Sequence, residues 1–275
     1  MFALNCKGRL LVINKPIVMG ILNITPDSFY KGSRIQNEDV ALQMASQMLN
    51  EGAVVLDIGG QSTRPGSIRL SVNEEAERVL PVIELTHKNF PGAFISVDTY
   101  HAALAEQAVA AGASIINDIS GGTMDEMMLS AVGKLNVPYI CMHIQGKPET
   151  MQQNPVYENV TREVLDFFIQ RTEQCRLQNI NDVIIDPGFG FGKTISHNFR
   201  LLKELSVFKM LEKPISAGLS RKATIYKTLN VSAGEALNGT TVLNTIALLN
   251  GANILRVHDV KEAVEVIELM GAYNS

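Results

Sequence analysis

Apolar and polar positions along this chain follow two alternating periods. Short apolar runs stand at 17–22, 54–58, 94–97, 114–116, 137–142, 183–185, 215–217 and 253–257. Each is too short for an ordinary helix and reads as a buried strand. Longer stretches between them, such as 40–49, 74–86, 102–110 and 160–176, space their apolar residues three and four apart and read as amphipathic helices. The unit of strand, polar or glycine-rich loop and helix recurs eight times. Such alternation predicts parallel strands joined by crossover helices. Eight units in about 260 residues match an α/β fold of the closed (β/α)8 TIM barrel type. A doubly wound open sheet is disfavoured by the regular count and by the lack of a dinucleotide fingerprint after the first strand. Ahead of the first unit, residues 3–14 alternate around Lys7-Gly8 and predict a short N-terminal β-hairpin. Residues 1–275 are therefore expected to form a single barrel domain.

Composition changes the picture mainly by exclusion. The chain is 46% hydrophobic and 19% charged, as one large globular domain should be. Its net charge of −4 gives no bulk positive field for nucleic acid. No apolar run is long enough to span a membrane, and the N-terminus lacks a signal-peptide pattern. Three cysteines, Cys6, Cys141 and Cys175, show no metal-ligand spacing and fit reduced thiols in a cytoplasmic protein.

Candidate chemistry collects where the apolar runs end. Asn23, Asp57, Asp98, Asn117, His143, Asp186, Ser220 with Lys222, and Arg256 with His258 all fall there. In a barrel these positions converge on one mouth, the end where such folds carry their active sites. Asp98-Thr99 also suits a cap for the helix at 102–110. After the strand at 183–185, Asp186 to Lys193 combines a carboxylate, three glycines and two phenylalanines. The glycines allow close backbone approach to a ligand, and the set suits a planar, hydrogen-bonding small molecule. A phosphate-binding P-loop ending at Gly192-Lys193-Thr194 is excluded, because Pro187 stands where its first glycine belongs. Arg256 and His258, two apart on one strand face, form a plausible anion clamp. The competing reading is an Arg256–Asp259 surface pair. The loops at 23–39 and 59–66 are lid candidates. Asn23 could offer an oxygen to Mg²⁺, which favours few protein ligands plus phosphate oxygens. Nothing is dense enough in carboxylates or histidines for a dedicated zinc or di-iron site.

In order along the chain, these segments resemble one family, dihydropteroate synthase. The matching residues are 19–29, 57–60, 62–66, 96–99, 116–121, 142–143, 186–193, 220–222 and 256–260. The resemblance implies condensation of 6-hydroxymethyl-7,8-dihydropterin diphosphate with 4-aminobenzoate, with release of pyrophosphate. It also implies Mg²⁺, a (β/α)8 barrel, a homodimer and sensitivity to sulfonamides. Carried over motif by motif, Asp98, Asn117, Asp186 and Lys222 would hold the pterin ring beside Ile119 and Met142. Asp98, Asp186 and Lys222 would act in catalysis. Asn23, Arg64, Arg256 and His258 would handle the diphosphate, with Asn23 near Mg²⁺. Phe29, Thr63, Arg64, Pro65, Phe191, Ser220 and Lys222 would shape the aminobenzoate and sulfonamide pocket. Three departures stand at the second pocket: Gln61 where the family commonly has Glu, Tyr30-Lys31 after Phe29, and Ala223 after Lys222. Loss of the charge at 61 is expected to weaken loop anchoring. Two other functions compete, a pterin-dependent methyltransferase and a non-catalytic pterin binder. The anion clamp argues against the methyltransferase, since methyl transfer releases no pyrophosphate.

Overall fold

The computed structural model describes residues 1–24, 34–62 and 69–275, with 34–37 described as backbone alone. A two-stranded antiparallel hairpin comes first, β1 (Phe2–Cys6) and β2 (Arg9–Ile13), with Cys6 opposite Arg9 across the Lys7-Gly8 turn. Both turn residues have positive φ, 55° and 83°, which suits a tight hairpin. Parallel strands follow: β3 (Ile17–Asn23), β4 (Val55–Gly59), β5 (Phe94–Asp98), β6 (Ile115–Asp118), β7 (Tyr139–Met142), β8 (Val183–Asp186), β9 (Ser216–Ala217) and β10 (Ile254–Val257). They pair in the order β8-β7-β6-β5-β4-β3-β10-β9, and a parallel bridge from Ile185 to Ile215 joins the two ends. The expected (β/α)8 barrel with its N-terminal hairpin is the fold. β9 is only two residues long. Ahead of it Pro214 has no N–H to donate and Ile215 N donates to Asn253 Oδ1 at 2.9 Å, so the ladder starts late; the Pro214 carbonyl still accepts from Ile185 N at 3.0 Å.

Helices α1 (Arg34–Asn50), α2 (Val72–Asn89), α3 (Ala102–Ala111), α4 (Met128–Leu135), α5 (Val160–Leu177), α6 (Ile195–Lys203), α7 (Ala223–Leu229), α8 (Leu237–Leu249) and α9 (Val260–Tyr273) form the outer layer. α2 begins with a reciprocal capping box between Ser71 and Glu74. The cap read into Asp98-Thr99 is different in detail. His101 is the residue before α3, Ala102 N donates to Asp125 Oδ2 at 2.8 Å, and Thr99 Oγ1 accepts from His101 N at 3.2 Å. Asp98 is thereby left for the barrel mouth.

The pleat separates two cores. Outward residues such as Val18, Leu56, Ile95, Ile116, Val183 and Leu255 pack beneath the helices. Inward residues Ile17, Met19, Val55, Ile115, Ile140, Ile184 and Ile254 pack against Leu4, Cys6, Leu11 and Ile13 of the hairpin. The hairpin therefore plugs the amino-terminal end of the barrel. Each buried aliphatic side chain there contributes on the order of 2 kcal/mol by leaving water.

Candidate active site

Two residues further along five of the strands, the inward positions are polar, while Ile140 on β7 gives way to Met142. Val55 gives way to Asp57, Ser96 to Asp98, Ile115 to Asn117, Ile184 to Asp186 and Ile254 to Arg256. The period-2 pleat fixes this register, so the polar ring needs no loop to assemble it. Arg256 stands at its centre. Its Nε donates to Asp57 Oδ2 and its Nη2 to Asp98 Oδ2, both at 2.6 Å. Asn117 Nδ2 donates to the same Asp57 oxygen at 3.0 Å, while Asp57 Oδ1 is buried without a partner. The alternative partner proposed for Arg256, Asp259, is taken by Arg221 in a two-pronged pair at 2.8 and 2.9 Å.

This ring is charged where water is scarce. Arg256 stays protonated: burial opposes its charge, but Asp57 and Asp98 more than compensate. Asp98 is pushed up to about 7, first by burial and then by the negative charges of Asp57, Asp118 and Asp186, against the pull of Arg256. Asp186 accepts from Gly188 N at 2.8 Å and from Ser216 Oγ at 2.9 Å. Lys222 donates to the Phe189 carbonyl and lies 4.7 Å from the centre of the Phe191 ring. Burial lowers its amine to about 8, with Asp186 holding it partly back.

An apolar wall stands beside the polar floor. Tyr100, Ile119, Met142, Met151 and Phe191 form a cluster apart from both cores, all on segments leaving the carboxyl ends of strands. The structure thus brings Ile119, Met142 and Phe191 together with Asp98, Asn117, Asp186 and Lys222 at one mouth. Ser220 Oγ and His258 Nδ1 are 3.0 Å apart, and the same hydroxyl accepts from His258 N at 3.2 Å. Desolvation, then the Arg256 charge, keeps His258 below the usual imidazole range. The side chain of Asn23 takes no hydrogen bond among the described residues and sits half-buried at the end of β3. Phe29, Thr63, Arg64 and Pro65, and the departures Tyr30 and Lys31, lie outside the described residues.

The glycine-rich loop also answers a demand from within the protein. A Cβ on Gly188 would lie 1.9 Å from the His143 carbonyl, and one on Gly192 would lie 2.3 Å from the Gln145 carbonyl. Both have positive φ, 69° and 63°. They are glycines because the loop after β8 packs on the segment after β7, which is a contact within the protein. Lys193 fastens that contact: its buried amine reaches His143 Nδ1 at 2.9 Å, the Gly188 carbonyl at 3.0 Å and the Phe191 carbonyl at 3.1 Å. Burial and the Lys222 charge lower its affinity for a proton. Sequence reasoning placed Asp57 among the strand ends but gave it no role, and it passed over Lys193, Tyr100 and Met151. Asp57 had a usable signal, a charged residue inside an apolar run. At 61, the expectation of weaker anchoring meets a different finding. Gln61 Oε1 accepts from Leu70 N at 2.7 Å and Nε2 donates to the Ser62 carbonyl at 2.9 Å. A carboxylate could make only the first of these.

Comparison with known proteins agrees with this geometry. The pterin binding enzyme family matches residues 19–258. Dihydropteroate synthase of Escherichia coli K12 is 42% identical over 97% of this chain and 94% of its own length. The chain belongs to the dihydropteroate synthase family of pterin-binding enzymes. A Yersinia pestis dihydropteroate synthase solved in complex with a sulfonamide drug superposes with a TM-score of 0.93 at 42% identity, over 99% of both chains. The Xanthomonas albilineans dihydropteroate synthase in complex with 7,8-dihydropteroate gives 0.90 at 36% identity, again over 99% of both. Overlap that complete includes the hairpin plug as well as the mouth, so both ends of the dihydropteroate synthase barrel are shared. Family membership makes the chain an enzyme, a transferase of folate synthesis.

Proposed function

We propose that the barrel mouth condenses 6-hydroxymethyl-7,8-dihydropterin diphosphate with 4-aminobenzoate, giving 7,8-dihydropteroate and pyrophosphate. The observation that carries this reading is the polar ring of Asp57, Asp98, Asn117, Asp186 and Arg256 beside the apolar wall. A flat ring with several N–H and carbonyl groups is the kind of ligand that floor and wall can hold together. Asp98, Asn117, Asp186 and Lys222 bind the pterin edge, with Ile119, Met142 and Phe191 against its face. The diphosphate lies over Arg256, whose remaining N–H groups take no partner among the described residues beyond its two carboxylate contacts, and over His258 beside Ser220. Arg64 joins them from the loop after β4, and 4-aminobenzoate or a sulfonamide occupies a pocket of Phe29, Thr63, Arg64, Pro65, Phe191, Ser220 and Lys222.

The C–O bond to the diphosphate breaks ahead of amine attack. Positive charge then grows on the pterin and negative charge on the departing pyrophosphate. Asp98 and Asp186 stabilise the first, and Arg256 with His258 the second; donors and acceptors already in place need little reorganisation. Asp98 is the closer of the two carboxylates in this scheme. No side-chain nucleophile takes part. Asn23 fits Mg²⁺ in chemistry: an amide oxygen at the mouth with no partner among the described residues is one hard ligand, and diphosphate oxygens complete a shell that needs few protein groups. When bound, the ion neutralises part of the diphosphate charge. The resemblance implies a homodimer, and exposed apolar side chains such as Leu229, Val242 and Leu249 are surface that a second copy would bury. The buried, unpaired state of Cys6, Cys141 and Cys175 supports a cytoplasmic setting. Among the described residues, no helix is long and apolar enough to cross a membrane.

The test is pyrophosphate release by the purified protein from dihydropterin diphosphate, with and without 4-aminobenzoate, and with Mg²⁺ or a chelator. Release that requires both 4-aminobenzoate and Mg²⁺ is expected. A folded protein that binds the pterin and releases nothing would overturn the reading in favour of a pterin binder.

A further inference from the structure

We propose that Asp57 is the positioning residue that sets the polarity of the pterin floor, so that Asn117 meets the ring as an acceptor. The inference rests on the pterin reading above and goes beyond it. Asp57 is fully buried and takes two donors on one oxygen, Asn117 Nδ2 at 3.0 Å and Arg256 Nε at 2.6 Å. A carboxylate only accepts, so the Asn117 amide has to turn its nitrogen toward Asp57. Its carbonyl oxygen is then the end that remains. That oxygen takes no hydrogen bond among the described residues and is not among the buried unpaired atoms, which leaves it open to the mouth. A carboxamide left alone could turn either way and greet a ring N–H or a ring nitrogen lone pair alike. Tied to Asp57, it accepts. The ligand must therefore bring an N–H to that point, and a ring with a bare acceptor there is rejected because the floor would leave two acceptors facing each other.

The tie has a second effect. Asp57 holds Arg256 from one side while Asp98 holds it from the other at 2.6 Å, so the guanidinium plane is set by the same oxygen that sets Asn117. Ring polarity and anion position are thereby linked through one atom.

A counter-ion role and an acceptor-placing role for Asp57 predict different variants. Asparagine at 57 loses the charge but still offers one oxygen to both donors, whereas alanine offers none. The readout is the dissociation constant of the pterin alcohol, which carries no diphosphate and so leaves out the anion contact of Arg256. Folding is checked by circular dichroism. Asp57→Ala is expected to weaken the alcohol by about tenfold, the ratio for losing a hydrogen bond at the strong end of the usual range. Asp57→Asn should stay within about threefold of the parent, a loss well below one such bond. Asn117→Ala should match Asp57→Ala, and the double alanine variant should bind no worse than Asn117→Ala alone, as a residue acting through another requires. Asp57→Asn weakening as much as Asp57→Ala would overturn the proposal in favour of a counter-ion. So would additive losses in the double variant. If Asp57→Ala does not fold, Asn117→Ala, which keeps the Asp57–Arg256 pair, still decides: parental affinity in that variant overturns the proposal. A parent protein that binds no pterin at all overturns the functional reading together with this one, while normal parental binding with unaffected variants defeats this one alone.

Discussion

The two ends of the barrel are built from the same strands and follow opposite rules. At the amino-terminal end, Val55, Ile115, Ile140, Ile184 and Ile254 are sealed by Leu4, Cys6, Leu11 and Ile13 of the hairpin. At the carboxyl end, one pleat repeat or about 7 Å further on, stand Asp57, Asn117, Met142, Asp186 and Arg256. Below, non-directional burial holds the structure together. Above, nearly every buried polar group is held by a specific partner, because an unpaired one costs on the order of 1–3 kcal/mol. The difference teaches that this fold separates cohesion from chemistry along the strand axis, and that a two-residue step is enough.

The sharpest way to break the comparison is to substitute at the upper end. Asp186→Ala is expected to lower kcat/KM by roughly 10³-fold, as removal of a ligand-holding charge at a preorganised site does, with the far-ultraviolet circular dichroism of the parent. Steady-state kinetics beside a thermal melt reads both. Global unfolding would place Asp186 with the cohesive residues instead. At the lower end, Leu11→Ala should do the reverse. It removes a buried side chain from the plug and should cost about 2–5 kcal/mol in urea unfolding, with kcat/KM of the folded protein within about twofold of the parent. A large kinetic loss there would mean that the plug shapes the mouth.

Glu75 on α2 sharpens the comparison from outside the barrel axis. It is fully buried, neither of its oxygens has a hydrogen-bond partner among the described residues, and His101 Nε2 stands 3.9 Å away. Burial, then the Asp98 charge, raises its carboxyl to about 8. The folded state therefore keeps a proton that the unfolded chain releases near its ordinary value of 4.5. Its contribution to stability is whole below that value and shrinks as pH rises toward 8. Glu75→Gln should remove that slope and raise the melting temperature by several degrees at pH 8 while changing little at pH 5. Equal shifts at both pH values would rule out the buried proton.

Much of this was legible in the chain itself. The eight strands and the hairpin follow from local pattern, because pleat and helix periods are written in adjacent residues. β9 came out one residue shorter than its apolar run, since the Ile215 N–H goes to the Asn253 side chain and not into the ladder. The strand-end residues that meet at the mouth were legible for the same reason: a closed barrel brings them together whatever their identity. What they do to one another was not. Asp57 and Arg256 are 199 positions apart, and nothing local marks them as partners. The glycines at 188 and 192 read as openings for a ligand, yet each is required by a carbonyl on the neighbouring loop. Gln61 read as a lost charge, and only its contacts on both sides reveal what the amide adds.

The late start of β9 has a consequence for how the molecule coheres. Between β8 and β9 the ladder is reduced to the single bridge at Ile185 and Ile215, so the cylinder has a seam. Ser216 Oγ stitches it from inside by donating to Asp186 at 2.9 Å. The carboxylate assigned to hold the pterin is therefore also a thread in the least hydrogen-bonded joint of the sheet. On the proposed reading, a ring held by both Asp186 and Lys222 would span the same joint, and the substrate would act as a clasp on the vessel that holds it.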